Sequence, residues 1–155
     1  MKKLFITLAT LIFVTSSVMA DDRQEAIKFF NNYVNAANSY SESINDMYSP
    51  KAKIIREVVK PDGTLVDVDT DTATYMKQLR LSRATAKIRK YKNAYRHIVA
   101  TPVKNGYKVS AERQPTGETY WLKTYQILQK QPNGKWIIVE EMMQTKEQIF
   151  LRYAK

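Results

Sequence analysis

Three turn sequences divide the C-terminal half of this chain into segments of strand length. Asn105-Gly106 is the strongest of them, because these residue types adopt the positive φ of a tight hairpin turn. Pro115-Thr116-Gly117 and Pro132-Asn133-Gly134 repeat the signal with proline and glycine. The segments around them are rich in aromatic and β-branched residues and cover 85–103, 107–113, 118–130 and 135–143. They predict a four-stranded antiparallel meander with a bulge near Asn93.

The preceding part of the chain predicts helices on either side of a hairpin. Ile27, Phe30, Val34 and Ala37 recur at spacings of three and four, which predicts a helix over residues 23–40. The other predicted elements are a short helix over 41–48, strands over 52–60 and 65–69 joined by the turn Pro61-Asp62-Gly63, a helix over 70–84 and a last short helix over 145–153. Helices followed by a run of strands indicate an α+β fold.

The N-terminus has the pattern of a secretory signal peptide. Lys2 and Lys3 precede an uncharged apolar run over residues 4–14, which is shorter than the roughly 20 residues that a bilayer span requires. Small or apolar residues lead up to Ala20, after which we expect cleavage. The prediction is a signal peptide over 1–20, a single domain over 21–155 and a periplasmic or secreted protein that is not transmembrane after cleavage. An uncleaved anchor is the alternative.

Composition excludes several kinds of chemistry. Removal of the first 20 of the 155 residues leaves 135, enough for one domain with a substantial core. The chain has no cysteine and one histidine, His97, which excludes thiol catalysis and a multi-histidine metal site within one chain. No residue pattern points to a cofactor or a metal.

The positive charge is concentrated in one stretch. The net charge is +10, or +8 without Lys2 and Lys3, and residues 72–111 contain ten basic and no acidic residues. We define the basic surface as Lys77, Arg80, Arg83, Lys87, Arg89, Lys90 and Lys92. Such a surface attracts anions, so an anionic lipid surface or an acidic protein is the expected partner, with a merely solvated face as the alternative. Export argues against nucleic acid.

The order of elements resembles the nuclear-transport-factor-2-like (NTF2-like) superfamily, which includes SnoaL-type cyclases and ketosteroid isomerases. The resemblance covers about residues 23–145. It rests on a long helix followed by a short one, on the hairpin turn at Pro61-Asp62-Gly63, and on Asn133-Gly134-Lys135-Trp136-Ile137-Ile138 at the start of the last strand. It implies an NTF2-like cone, in which N-terminal helices pack on a curved, mainly antiparallel sheet around a pocket. It also implies a homodimer through the open sheet face.

Candidate site residues follow from that pocket. Glu140 and Glu141 are adjacent in the last strand, so one of the two should face the interior. Alternation along this strand places Glu140 and Met142 on the inner face if Trp136 and Ile138 lie there, and on the outer face if Ile137, Val139 and Met143 point inward. The predicted ligand-binding residues are Tyr33, Trp121, Tyr125, Trp136, Glu140 and Met142. Glu140 or His97 would serve as the acid–base group of an enzyme.

Three functions remain open from the sequence. The favoured one is a non-catalytic module that binds a small apolar or amphipathic ligand in the cone, or an acidic partner through the basic surface. The second is a SnoaL- or isomerase-like enzyme with a pocket carboxylate. The third is a protein that binds anionic lipid surfaces. A pocket of aromatic residues suits the first two, although aromatic residues also build the core of a strand-rich fold.

Overall fold

The computed structural model describes residues 2–154, with side chains described from residue 18 onward. The elements follow the predicted order. Helix α1 (Lys2–Asn38) leads through a 3-10 helix (Glu42–Met47) into strands β1 (Tyr48–Val59) and β2 (Leu65–Thr70), helix α2 (Thr72–Ile88), strands β3 (Asn93–Val103), β4 (Gly106–Pro115), β5 (Leu122–Lys130) and β6 (Trp136–Thr145), and a final 3-10 helix (Gln148–Tyr153). The predicted α+β fold is confirmed.

One curved sheet of six strands forms the body of the fold, in the order β2-β1-β6-β5-β4-β3. The strands β3 to β6 form the predicted antiparallel meander. The β1–β2 hairpin joins this meander through parallel pairing of β1 with β6. The sheet is therefore mainly antiparallel, with one parallel seam between its second and third strands, and that seam brings the first strand against the last.

The boundary between α2 and β3 differs from the prediction. Residues 85–88, predicted as strand, belong to α2, and β3 begins only at Asn93. Ala86 and Lys87 favour the helix in this segment. Asp71 caps the start of α2 by accepting a hydrogen bond of 2.9 Å from the Thr74 amide. The predicted bulge near Asn93 is also misplaced, since the register shifts between Arg96 and Val99.

Helix α1 is continuous from Lys2, so it includes both the segment predicted as a signal peptide and the helix predicted over 23–40. It ends at Asn38, after which Tyr40 adopts a left-handed φ of 60°. The signal peptide and the domain boundary at residue 21 stay predictions. Within residues 2–154, no helix combines the length and the hydropathy needed to cross a membrane.

The core lies between α1 and the inner face of the sheet. Phe30 and Tyr33 of α1 are buried and belong to one cluster with Val109, Leu128 and Ile138 of three neighbouring strands. Burying these side chains is the main source of stability, at roughly 1.5–3 kcal/mol for each large apolar group. Helix α2 packs against β1 beside this core, and the space between its middle and the end of α1 becomes the cavity described next.

Candidate functional site

A bulge in β6 decides which acidic residue faces the interior. Leu128 pairs with Ile138 while the adjacent Ile127 pairs with Glu140, so β6 carries one extra residue at Val139. A bulge of this kind reverses the alternation of side chains beyond it. Ile138 and Glu141 are therefore both buried, at 0% and 1% exposure, on the inner face.

The predicted inner face of β6 is consequently wrong beyond Ile138. Met142 pairs directly with Tyr125 of β5, and the Tyr125 hydroxyl donates a hydrogen bond of 2.7 Å to Glu140. Residues opposite one another across a sheet share a face. Glu140 and Met142 thus lie on the outer face with Tyr125, while Trp136 and Ile138 pack against the core as predicted.

Glu141 is the centre of a buried polar cluster. Its Oε2 accepts hydrogen bonds of 2.8 Å from both the Tyr48 hydroxyl and Nε2 of Gln126, and its Oε1 accepts one of 3.2 Å from the Tyr75 hydroxyl. These donors come from β1, β5 and α2. Burial of a carboxylate is tolerated only when its oxygens are hydrogen-bonded, and here three donors meet that need.

The tyrosines of this cluster are held in the protonated form. Burial, reinforced by the negative charge of Glu141, raises the pKa of Tyr33 and Tyr48 well above its ordinary range and raises that of Tyr75. The hydroxyl oxygens of Tyr33 and Tyr48 lie 3.2 Å apart. A protonated phenol is a hydrogen-bond donor, so this cluster can give hydrogen bonds but does not offer a phenolate base.

Arg56 brings a positive charge to the same region. Its guanidinium carbon lies 4.8 Å from the centroid of the Tyr75 ring. Burial disfavours the charged guanidinium, but Tyr75 and Glu141 outweigh that effect and raise the pKa of Arg56. Arg56 therefore remains cationic beside the carboxylate cluster.

A cavity of about 350 Å³ opens next to this cluster, between the end of α1, α2, the sheet and the final 3-10 helix. Its walls are mostly aromatic and aliphatic, with three arginines among them. The lining residues are Tyr33, Ala36, Ala37, Asn38, Tyr40, Ser41, Ile44, Arg56, Tyr75, Leu79, Ser82, Arg83, Ala86, Tyr91, Asn93, Tyr95, Arg113, Met143, Thr145, Glu147 and Phe150. Glu141 lies behind Tyr33 and Tyr75 and does not itself line the cavity.

The structure brings one of the six predicted ligand-binding residues to this cavity, namely Tyr33. The Trp121 ring packs against Arg96, whose guanidinium carbon lies 4.0 Å from the ring centroid. Trp136 donates a hydrogen bond of 3.0 Å to Glu25 near the other end of the core. Tyr125, Glu140 and Met142 occupy the outer face. Strand alternation alone could not place Glu140 and Met142, because the bulge at Val139 is defined only by the pairing of β6 with β5.

His97 lies away from the cavity. It has a φ of 54° within the irregular part of β3, and its side chain is 71% exposed. Nδ1 lies 3.0 Å from Oε2 of Glu112, the oxygen that also accepts a hydrogen bond of 2.7 Å from Arg96. The hydrogen bond from Arg96, followed by that from His97, lowers the pKa of Glu112. The three residues form a surface cluster.

The basic surface lies on α2 and the turn after it, with one exception. Lys77, Arg80 and Lys87 are exposed on the helix, and Arg89, Lys90 and Lys92 are exposed in the turn. Arg83 instead turns inward, where its Nη1 lies 2.9 Å from Oε1 of Glu42 and its side chain lines the cavity.

Sequence reasoning missed Arg56, Arg113 and the cluster around Glu141. Strand alternation contained a signal for the two arginines. Arg113 follows Tyr107, Val109 and Ala111 at steps of two, so it occupies the inward phase of an apolar strand. Arg56 likewise stands between Ile54 and Val58. An arginine in that phase predicts a buried cation.

Within the described residues, no group of three or more histidine and acidic side chains is placed to hold a metal ion.

Comparison with known proteins defines the fold class. No family profile and no curated protein matches the sequence. Solved structures do match. An NTF2-like protein with a cystatin-like fold from Novosphingobium aromaticivorans is 10% identical, with a TM-score of 0.63 over 87% of this chain and 88% of that one. A protein of the NTF2-like family from Streptomyces avermitilis is 8% identical, with a TM-score of 0.59 over 81% and 96% of the two chains.

A candidate ketosteroid isomerase from Shewanella frigidimarina is also similar, at 13% identity and a TM-score of 0.54 over 75% of this chain and 91% of that one. At these identities the likeness concerns the fold. This chain therefore has the NTF2-like fold, as its order of elements predicts. That fold supports both binding and catalysis, so the function has to be argued from the site.

Proposed function

We propose that this chain is an exported, non-catalytic module that binds a small amphipathic molecule in the cavity between α1, α2 and the sheet. The observation that carries the proposal is the cavity itself, whose volume of about 350 Å³ and largely apolar, aromatic walls suit a small organic ligand. The polar groups among its walls would orient such a ligand. Export rests on the signal-peptide pattern of residues 1–20.

The burial and the hydrogen-bond partners of Glu141 favour binding over catalysis. A general base has to reach the proton that it abstracts, directly or through one water. Both oxygens of Glu141 are occupied by Tyr48, Tyr75 and Gln126, and the side chain is 1% exposed behind the wall of the cavity. Glu140 and His97, the acid–base candidates from the sequence, lie outside the cavity. An isomerase-like enzyme would require Glu141 to exchange one of its protein donors for substrate.

A second candidate function is docking on anionic lipid surfaces. Leu81 and Ile88 on α2 are 70% and 82% exposed, among the cations of the basic surface. Exposed apolar side chains flanked by lysine and arginine are typical of interfacial helices. This hypothesis expects binding to anionic vesicles that weakens as salt is raised. Equal binding to neutral vesicles would exclude it.

Native mass spectrometry of the protein purified from its own host tests the main proposal. We expect a mass above that of the polypeptide, which returns to the polypeptide mass after organic extraction and releases a small molecule. A protein that is always at the polypeptide mass, and that shows no saturable binding of extracted host metabolites, would count against a ligand-binding role.

A further inference from the structure

Polar groups without partners are concentrated at the cavity. Six buried side-chain nitrogen or oxygen atoms in the described part of the chain have no hydrogen-bond partner. Four of them belong to cavity-lining residues, namely the Tyr40 hydroxyl, Nη1 of Arg56, Nη2 of Arg83 and Nε of Arg113. All four are donors. The two remaining atoms are amide oxygens of Asn45 and Gln126, which do not line the cavity. A buried donor without an acceptor is costly, so these four residues leave unused hydrogen-bond donors at the cavity wall.

Arg113 is the clearest case. It is 8% exposed, and it donates hydrogen bonds of 3.0 Å to Oδ1 of Asn93 and 2.6 Å to the Gln144 carbonyl. Both partners are uncharged. Among residues 18–154, no acidic side chain lies within the 4.0 Å of an ion pair with this guanidinium. A buried arginine is normally paired with a carboxylate or another anion. Its positive charge is therefore uncompensated by the described protein groups.

Arg56 and Arg83 place two further guanidinium groups on the wall of the same cavity. Within the described residues Arg56 also has no ion-pair partner, and the oxygens of nearby Glu141 already accept three hydrogen bonds. Arg83 is paired with Glu42, whose side chain is 88% exposed, and a pair with such an exposed partner is worth little. Glu147 is the one acidic side chain on the cavity wall, and it is exposed.

We infer that the cavity binds an organic oxyanion, an amphipathic molecule whose carboxylate or phosphate head is held by the guanidinium groups of Arg56, Arg83 and Arg113. Guanidinium donors match the geometry of either head group. The apolar body of the ligand packs against Ala37, Leu79 and Phe150 on the cavity wall. This inference rests on the proposed function and adds the charge of the ligand to it.

Isothermal titration calorimetry with three probes of equal chain length tests the inference on the purified protein. Octanoate and octyl phosphate carry the oxyanion, and octanol is the uncharged counterpart. We expect at least one of the two anions to bind about tenfold or more tightly than octanol, as charge-assisted hydrogen bonds imply. Octanoate and octyl phosphate also distinguish the two head groups by their relative affinities.

Arg83→Met and Arg80→Met provide matched variants on the same helix. Arg83 lines the cavity, whereas Arg80, one turn earlier, is exposed. We expect Arg83→Met to lower the affinity for the favoured anion about tenfold and to leave the affinity for octanol unchanged. Arg80→Met should change neither affinity. Arg113→Lys keeps the positive charge but loses the paired donors of the guanidinium group, so it should also lower the affinity for the anion. Thermal melting verifies that each variant is folded.

Three results would overturn the anion site. Equal affinities for octanol and both anions would remove the charge requirement and leave the ligand-binding proposal standing. If Arg83→Met and Arg80→Met lowered the affinity for the anion equally, anion binding would be due to general electrostatic attraction by the basic surface. If no probe binds, the anion site is rejected, and native mass spectrometry alone decides whether the cavity holds an uncharged ligand.

Discussion

The hydroxyl of Tyr48 donates a 2.8 Å hydrogen bond to Glu141, which joins the start of β1 to the middle of β6. The two residues are 93 positions apart in sequence and both are buried. Their contact lies at the parallel seam where the hairpin joins the meander. The hydrogen bond therefore links the two parts of the sheet, and the carboxylate is a structural support for the cavity wall.

Removal of the Glu141 carboxylate should be strongly destabilising. Glu141→Ala leaves donors of Tyr48, Tyr75 and Gln126 buried without an acceptor, at about 1–3 kcal/mol for each unsatisfied group. We expect a loss of about 3 kcal/mol or more in the free energy of unfolding. Glu140→Ala, at the adjacent outward position, loses one hydrogen bond to Tyr125 and should cost about 1 kcal/mol or less. Urea denaturation measures both; equal losses would contradict the assignment of Glu141 as the buried support.

Stability should fall at alkaline pH because of the buried tyrosines. The folded-state pKa of Tyr33, Tyr48 and Tyr75 is raised, first by burial and then by Glu141. Below about pH 10 the phenols are protonated in both states and this contribution is fully present. Above it the unfolded chain loses protons that the folded chain retains, so stability decreases by about 1.4 kcal/mol per pH unit for each such tyrosine.

Urea denaturation between about pH 8 and pH 11 measures how steeply stability falls with pH. This range brackets the ordinary tyrosine pKa of about 10. Tyr75→Phe should reduce this slope, whereas Tyr153→Phe, at a position that is 58% exposed, should leave it unchanged. A slope that is the same in all three proteins would show that other groups cause the alkaline loss.

Export makes a separate prediction. Protein recovered from its host should begin at Asp21, because the sequence pattern places signal-peptide cleavage after Ala20. Cleavage would remove the Met19 carbonyl, which accepts a hydrogen bond of 2.8 Å from Tyr107. It would leave Asp21, Asp22 and Glu25 near the new start of α1, where negative charge is favourable to the helix dipole. N-terminal sequencing of the recovered protein decides the matter, and an N-terminus at Met1 would rule out cleavage.

The features that sequence could predict are those encoded locally. The turns at Asn105-Gly106 and Pro132-Asn133-Gly134 depend on residue types that adopt unusual backbone conformations, and Asn105 and Gly134 have φ values of 64° and 81°. Those turns fixed the meander and, with it, the fold class. The end of α2 is not evident from the sequence, because residues 85–88 have no strong stop signal and the helix continues to Ile88.

The site was harder to predict because it depends on contacts between distant elements. The choice between Glu140 and Glu141 is made by one extra residue at Val139, which is defined only by pairing with β5. The partners of Glu141 come from three elements that are far apart in sequence. Tyr33 lines the cavity, and its place on the sheet-facing side of α1 follows from the helical period, which the sequence encodes locally.

The central claim, that the cavity is the ligand site, is tested most directly by filling it. Ala86 of α2 lines the cavity, and Ala84 on the same helix is exposed. Native mass spectrometry should show that Ala86→Trp, whose indole would occupy the cavity, has lost the bound small molecule, while Ala84→Trp retains it at the level of the unmodified protein. Full occupancy in a folded Ala86→Trp protein would contradict the claim and place the ligand elsewhere on the molecule.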